Sequence, residues 1–217
     1  MRLGRDDERY FVRPRRTLRL GAGLLSLFAL LALCVPAEPL AVEQRWQEWM
    51  SDIQTPFLEH VALVLNHLGR GIGEALVLAG VGGALALAAR WRALLAFAVA
   101  EGLALLLSSL VKASVGRQRP PDGLVHPISS SFPSGHTTFA GATCVALVVL
   151  FTQVGPRRWL WWSLAVLGTA AMGWSRTYLQ VHWLLDVLAG ALLGAGSATS
   201  VFAGVQVLSR RREAALD

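Results

Sequence analysis

The sequence predicts an all-α membrane protein, a polytopic helix bundle with six transmembrane helices and an amphipathic segment after the first span. The 217-residue chain is 54% hydrophobic with a mean hydropathy of +0.49, which is too apolar for a soluble domain of this size. Its apolar residues form long runs, and arginines cluster at the ends of the chain and between these runs. The net charge of +6 therefore reflects membrane orientation and indicates no nucleic-acid partner. Both cysteines lie inside apolar runs, which favours packing over a disulfide or a metal site.

The N-terminal third contains a basic tail, one span and a segment of mixed polarity. Residues 1–19 are rich in arginine and are predicted to form a cytoplasmic tail, and residues 20–35 form the first span. A cleaved signal peptide is the rival interpretation, but the long charged lead-in favours a retained helix. Residues 38–70 carry more acidic than basic side chains and several large apolar ones, which predicts one or two amphipathic helices at the outer interface. A connecting loop packed on the bundle explains this pattern equally well.

Five further apolar runs complete the predicted bundle, which forms a single domain over residues 20–208. They cover residues 72–89, 93–111, 137–154, 159–174 and 183–208, and a second cytoplasmic tail follows at 209–217. Gly190, Gly194 and Gly196 give the last run a face of small residues suited to close helix packing. Glu101 falls near the middle of the third span, where a carboxylate is a functional candidate; a protonated or hydrogen-bonded side chain is the alternative.

The arginines also predict an orientation in the membrane. Six spans place both termini on one side, together with the basic loops at residues 90–92 and 157–158, and the positive-inside rule makes that side the cytoplasm. The loops that carry Lys112, His136 and His182 then lie together at the outer face.

The most informative stretch is residues 175–186, which follows one apolar run and opens the next. If the chain is helical from Val181 on, His182 and Asp186 lie one turn apart on one face. The carboxylate can then hold one ring nitrogen of the imidazole and leave the other free to react. Arg176 lies just before this helix, where its planar set of donors can hold a phosphate. This combination suggests covalent phosphoryl chemistry on a histidine.

Two further segments supply positive charge and a helix start. Lys112 stands seven residues before Arg119 and is the one lysine among 20 lysines and arginines. Its side chain can bind a phosphate, or it can snorkel from the end of a helix. Ser134 and Gly135 lie at the predicted N-terminus of the fourth span, where free backbone N–H groups favour an anion. His136 follows directly and places a second imidazole at the same helix start.

In these three segments the chain resembles the type-2 phosphatidic acid phosphatase family of integral membrane lipid phosphatases. Every fixed residue of the family's signatures is present in order and at the family's spacing: Lys112-x6-Arg119-Pro120, Pro133-Ser134-Gly135-His136 and Ser175-Arg176-x5-His182-x3-Asp186. Arg117 and His126 lie in the first loop but outside the motifs, and they are predicted to be solvated loop residues.

The resemblance implies a role for each motif residue. His182 is expected to attack phosphorus and form a phosphohistidine, with its tautomer fixed by Asp186. His136 is expected to protonate the leaving group and then to activate water. The expected phosphate-binding residues are Lys112, Arg119, Ser134, Gly135 and Arg176. The family works without a metal or another cofactor, so none is expected here.

The resemblance and the predicted topology together favour a lipid phosphatase in the plasma membrane, with its site on the outer face. The expected partners are a lipid phosphate and the bilayer, and the sequence carries no feature that sets an oligomeric state. Undecaprenyl pyrophosphate is the favoured substrate, because an outward site fits recycling of this carrier in a bacterial cell. Phosphatidylglycerophosphate and phosphatidate are the alternatives, together with phosphotransfer to another lipid and, outside enzymes, binding or transport of lipid phosphates.

Overall fold

A computed structural model describes residues 10–125 and 127–215, and within these ranges the protein consists of α-helices without strands. His126, residues 1–9 of the predicted N-terminal tail and residues 216–217 of the C-terminal tail lie outside the described residues. The described helices are α1 (Pro14–Cys34), α2 (Ala41–Asp52), α3 (Pro56–Leu68), α4 (Ile72–Leu87), α5 (Trp91–Val115), α6 (Gly135–Phe151), α7 (Arg158–Tyr178) and α8 (Leu184–Glu213).

The long C-terminal helix α8 is the centre of the bundle, and it packs against α1, α5 and α6. Its small residues allow close contact, as the sequence predicts. A Cβ atom added at Gly194 would lie 2.0 Å from the backbone oxygen of Thr138 on α6, so only glycine permits this approach of the two backbones. The contact holds the N-terminal ends of α6 and α8 side by side, and both ends carry predicted site residues.

Each of the six predicted spans coincides with a helix, but length and composition support fewer crossings. In the described part of the chain, α1, α5 and α8 are long and apolar enough to cross a membrane. Helices α3 and α4 meet at 58° and qualify together as one bent span, and α6 is a shorter apolar helix. The all-helical membrane fold is therefore confirmed, whereas the number of six spans is not.

The segment over residues 38–70 forms the two helices α2 and α3, so the interpretation as a plain connecting loop was wrong. Helix α2 packs on α7 and α8, and α3 packs on α7 and α4. A second boundary also differs from the prediction. Helix α7 continues to Tyr178 and α8 begins only at Leu184, so Arg176 lies in the last turn of a helix and His182 lies just before one.

The carboxyl group inside α5 is hydrogen-bonded to the neighbouring helix, which was the alternative to a functional role. Glu101 is buried, and its Oε1 atom accepts a 2.8 Å hydrogen bond from the hydroxyl group of Thr143 on α6. This contact joins α5 to α6 within the bundle and gives the polar group a partner in an apolar environment.

Candidate active site

The three motif segments meet at one cavity of about 340 Å³, at the end of the bundle where α5 ends and α6 begins. Six of the eight predicted site residues line it, namely Lys112, Arg119, Gly135, His136, Arg176 and His182. The lining also includes Asn66, Arg70 and Glu74, which the sequence analysis did not identify as site residues. Four side chains of the cavity lining are cationic, those of Arg70, Lys112, Arg119 and Arg176, and one is the carboxylate of Glu74. The excess of positive charge makes the cavity suited to a compact anion.

The imidazole of His182 is oriented by contacts at both ring nitrogens. Its Nδ1 atom lies 3.4 Å from Oδ2 of Asp186, and its Nε2 atom lies 3.1 Å from Nη1 of Arg119. Because a guanidinium group can only donate, Nε2 accepts this hydrogen bond and the ring hydrogen resides on Nδ1, facing the carboxylate. Burial lowers the pKa of His182 to about 3, although the hydrogen bond to Asp186 opposes this shift. The side chain is therefore neutral, with its lone pair on the nitrogen that faces the cationic side.

Asp186 lies behind the cavity wall and performs two structural tasks. Its Oδ2 atom accepts a 2.8 Å hydrogen bond from the backbone N–H of Trp183, which caps the start of α8. The same oxygen accepts a hydrogen bond from the hydroxyl group of Ser131 and lies beside His182. The spacing of four residues thus brings His182 and Asp186 together even though His182 precedes the helix.

The prediction that Arg117 is a solvated loop residue was wrong. Its side chain is 2% exposed and donates hydrogen bonds to Oδ1 of Asp186 at 2.8 Å and to both carboxylate oxygens of Glu43, at 3.1 and 2.7 Å. Glu43 is itself fully buried and also accepts from the backbone N–H groups of Leu40 and Leu185. Burial alone would lower the pKa of Arg117, but its hydrogen bonds to the two carboxylates raise it above the ordinary value.

Glu43 could have been found from the sequence. In α2 the buried residues Glu43, Gln47 and Met50 are spaced by four and three positions, so the carboxylate lies on the face that turns toward the protein. A carboxylate on the buried face of an amphipathic helix requires a cationic partner. Nothing in the sequence indicates that this partner is Arg117, because the loop after α5 determines the direction of that side chain.

The serine-rich loop 129–131 holds the two cations of the first motif. The Nζ atom of Lys112 donates to the backbone oxygen of Ser130 at 2.9 Å, and Nε of Arg119 donates to that of Ser129 at 2.8 Å. The backbone N–H of Ser131 donates in turn to the oxygen of Arg117 at 2.8 Å. Burial lowers the pKa of Arg119 to about 10, which leaves it protonated at neutral pH.

The junction between α3 and α4 packs directly on the second histidine. The backbone oxygen of Asn66 lies 3.2 Å from Nε2 of His136, and its side-chain oxygen accepts a 2.7 Å hydrogen bond from Arg176. A carbonyl group only accepts, so Nε2 of His136 carries the ring hydrogen. A Cβ atom added at Gly69 would lie 2.6 Å from the imidazole ring, so the backbone at this junction is in direct contact with it. Asn66 carried no motif signal in the sequence.

Ser134 and Gly135 occupy different positions relative to the cavity. Gly135 lines it at the N-terminus of α6, where unpaired backbone N–H groups favour an anion. Ser134 is buried and caps α6 by accepting a hydrogen bond from Thr137, while its own backbone N–H donates to the backbone oxygen of Asp186 at 2.9 Å. The phosphate-binding role of Ser134 stays a prediction, and its observed contacts are structural.

This arrangement can support nucleophilic displacement at an anionic centre. One neutral imidazole presents a lone pair, a second lines the same cavity, and three motif cations can neutralise the charge of an oxyanion. Among the described residues, no group of three or more histidine, cysteine, aspartate or glutamate side chains has the arrangement of a metal site.

Comparison with known sequences gives one family match and several partial relatives. The model of the PAP2 superfamily matches residues 93–210, a range that contains all eight predicted site residues. Bacitracin transport permease protein BcrC of Bacillus licheniformis is 38% identical over 113 residues, covering 51% of this chain and 52% of that protein. Undecaprenyl-diphosphatase of Sulfolobus acidocaldarius is 33% identical over 99 residues, covering 42% and 45%. Phosphatidylglycerophosphatase B of Bacillus subtilis is 33% identical over 151 residues, covering 65% and 72%. The chain thus spans about half the length of the first two relatives.

A solved structure has the same fold. The crystal structure of a transmembrane PAP2 type phosphatidylglycerolphosphate phosphatase from Bacillus subtilis superposes with a TM-score of 0.75 and 26% sequence identity. The match covers 86% of this chain and 96% of the other. The match therefore extends beyond residues 93–210 into the N-terminal part of the chain.

Proposed function

The chain belongs to the PAP2 superfamily, and we propose that it is a membrane lipid phosphatase that acts through a phosphohistidine intermediate. The observation that carries the proposal is the cavity in which the two histidines and three cations of the motifs meet. The neutral state of His182 and its contact with Asp186 support its role as nucleophile. The names of two relatives, an undecaprenyl-diphosphatase and a phosphatidylglycerophosphatase, support the reaction class.

In the first step, Nε2 of His182 attacks phosphorus and the bond between phosphorus and the leaving oxygen breaks. Arg119 now donates to this nitrogen, so substrate binding requires its donors to turn to the phosphate oxygens and release the lone pair. Lys112 and Arg176 supply the other fixed positive charges. His136 enters this step as the imidazolium, donates its Nδ1 proton to the leaving oxygen and becomes the neutral ring that keeps its hydrogen on Nε2. The positive charge that develops on His182 is balanced by Asp186.

In the second step, water displaces His182 from phosphorus. The neutral His136 accepts a proton from the water at Nδ1 as the water oxygen bonds to phosphorus, which restores its imidazolium, and the bond from phosphorus to Nε2 of His182 breaks. The products are phosphate and the regenerated neutral histidine. The three motif cations act at the same oxygens in both steps, because the phosphorus atom does not leave the cavity between them.

Undecaprenyl pyrophosphate is the favoured substrate, and phosphatidylglycerophosphate is the second candidate. The first choice is supported by the expected outward site and by the undecaprenyl-diphosphatase relative. The second is supported by the relative with the longest alignment among those compared, a phosphatidylglycerophosphatase. Transfer of the phosphoryl group to another lipid uses the same first step and differs in the acceptor.

The proposed topology places the enzyme in the plasma membrane with six crossings, its site outside and both termini in the cytoplasm. Two observations support this topology. A helix coincides with each of the six predicted spans, and the basic loops at residues 90–92 and 157–158 fall on the same side of these spans as both termini. Residues 1–19 and 209–217 are then cytoplasmic tails, and α2 lies at the outer surface.

Phosphate release from a panel of pure lipids tests this function. The purified chain, with a chelator present, is given undecaprenyl pyrophosphate, phosphatidylglycerophosphate and phosphatidate, beside the His182→Ala variant. Release by the wild type and its loss in the variant are expected. Folded protein that releases phosphate from none of these lipids would contradict the proposal.

A further inference from the structure

We propose that Arg70 forms a second anion subsite, which binds the phosphate of the leaving group and adapts the cavity to a lipid diphosphate. The inference rests on the proposed function and specifies its substrate class. Arg70 lies outside the three motifs, in the turn between α3 and α4, and it lines the same cavity as the motif residues.

Arg70 differs from the other cations of the cavity in its hydrogen bonds. Lys112 and Arg119 donate to backbone oxygens of the loop 129–131, and Arg176 donates to Asn66. Arg70 has neither a hydrogen bond nor an ion pair with any other residue that the structure describes. Its side chain is exposed, so its donors are available to a ligand at the open side of the cavity.

The position of Arg70 places it on the side of the leaving group. Its neighbour Gly69 packs so closely on the imidazole of His136 that an added Cβ atom would lie 2.6 Å from the ring. Its positive charge also interacts electrostatically with both His136 and Arg119. In the proposed mechanism His136 protonates the leaving oxygen, so an anion held by Arg70 lies next to that oxygen and not at the attacked phosphorus.

This placement predicts a chemical preference. When the terminal phosphorus of a diphosphate is attacked, the leaving group is itself a phosphate ester and gains negative charge as the bond breaks. A guanidinium group at that position stabilises the developing charge. When a lipid monophosphate is attacked, the leaving group is a neutral alcohol after protonation, and Arg70 has no phosphate to bind.

Glu74 sets a limit on the size of the anionic group. It lies four positions after Arg70, lines the same cavity, and makes no ion pair with Arg70. Its carboxylate repels anions, so the cavity wall near Arg70 is not a broad cationic surface. Beyond the three motif cations, the cavity offers Arg70 as one additional positively charged side chain. Two phosphates match this charge pattern.

The test compares two substrates with the same lipid tail. The full-length chain in lipid nanodiscs is assayed for phosphate release from undecaprenyl diphosphate and undecaprenyl monophosphate, as wild type, Arg70→Gln and Arg45→Gln. Arg45 is an exposed arginine on α2 outside the cavity, so its variant controls for loss of one positive charge. For Arg70→Gln we expect kcat/KM to fall about tenfold with the diphosphate and less than about twofold with the monophosphate, which corresponds to one lost charge-assisted hydrogen bond.

Equal losses with both substrates, or no loss with either, would overturn the subsite while leaving the phosphatase function intact. If the wild type hydrolyses neither lipid, the proposed function fails and the subsite is judged by binding alone. Pyrophosphate should then raise the melting temperature of the wild type more than that of Arg70→Gln, whereas inorganic phosphate should stabilise both equally. An equal effect of pyrophosphate on the two proteins would exclude the subsite.

Discussion

The buried charges behind His182 allow one substitution whose effect can be worked out in detail, Glu43→Gln. The carboxylate of Glu43 accepts four hydrogen bonds, two from Arg117 and one each from the backbone N–H groups of Leu40 and Leu185. Each carboxylate oxygen accepts two of these bonds. Glutamine keeps one oxygen, so its amide nitrogen must face two N–H donors, and at least two of the four hydrogen bonds are lost.

The expected cost to stability is about 3–5 kcal/mol, the range for removing one charge from a buried and hydrogen-bonded pair. The effect on catalysis has a separate cause. Glu43, Arg117 and Asp186 together carry one net negative charge, which faces His182 through the carboxylate of Asp186. In the variant the remaining pair is neutral, so it stabilises the positive charge on the phosphorylated ring less well. We expect kcat to fall by roughly tenfold, equivalent to about 1.4 kcal/mol, with KM little changed.

The assay is steady-state phosphate release by folded protein, with the melting temperature measured on the same sample. Glu48→Gln is the matched control, because Glu48 lies on the same helix with an exposed side chain. If Glu43→Gln is too unstable to purify, Arg117→Lys keeps the buried charge but removes the forked donor, and a smaller loss of kcat is expected. A stable Glu43→Gln variant with kcat within about twofold of the wild type would refute the electrostatic reasoning.

Three other predictions concern single side chains. Ser131→Ala removes one hydrogen-bond donor to Asp186, which still accepts from Arg117 and from the backbone N–H of Trp183, so kcat should fall about fivefold. The control Ser114→Ala, on the exposed side of α5, should leave kcat unchanged. Equal rates for the two variants would argue against a positioning role of Ser131. The pKa of His182 falls from 6.5 to about 3 on folding, so the folded protein binds fewer protons than the unfolded chain between these two pH values. The contribution of the neutral His182 to stability is therefore complete above about pH 6.5 and is lost as the pH falls toward 3. The melting temperature of the wild type should therefore decline more steeply over this interval than that of His182→Gln, and parallel curves would contradict the assignment. Glu101→Gln keeps an acceptor for Thr143 and should leave the melting temperature and kcat nearly unchanged, whereas a large loss of activity would give this carboxyl group the functional role that its hydrogen bond argues against.

The sequence predicted those features that depend on local spacing. Apolar runs located all six helices at the predicted spans, and the motif spacings brought Lys112, Arg119, His136, Arg176 and His182 to one cavity. Their convergence follows from topology, because consecutive helices return each motif to the same end of the bundle. The small residues of α8 likewise predicted its close packing on α6.

The features that were missed depend on contacts between distant segments. Arg117 is separated from Glu43 by 74 positions, and Asn66 lies 70 positions before His136. Such pairings are fixed by how α2 and α3 fold back over the site, and this is not encoded in any local periodicity. Arg117 was misjudged for this reason, since an arginine in a polar loop is ordinarily solvated unless a buried carboxylate meets it. The number of membrane crossings stays a prediction, because apolar content alone does not distinguish a span from a shorter or bent helix.

The most direct test of the account is to trap the phosphorylated enzyme. The purified chain is mixed briefly with a lipid diphosphate labelled at its terminal phosphorus, denatured at alkaline pH, and mapped by peptide analysis. The account predicts an acid-labile phosphate on His182 in the wild type and none in His182→Ala, with no label on His136. Label on a residue other than His182 would contradict the account. Rapid phosphate release that leaves no label on the protein and that persists in His182→Ala would also contradict it.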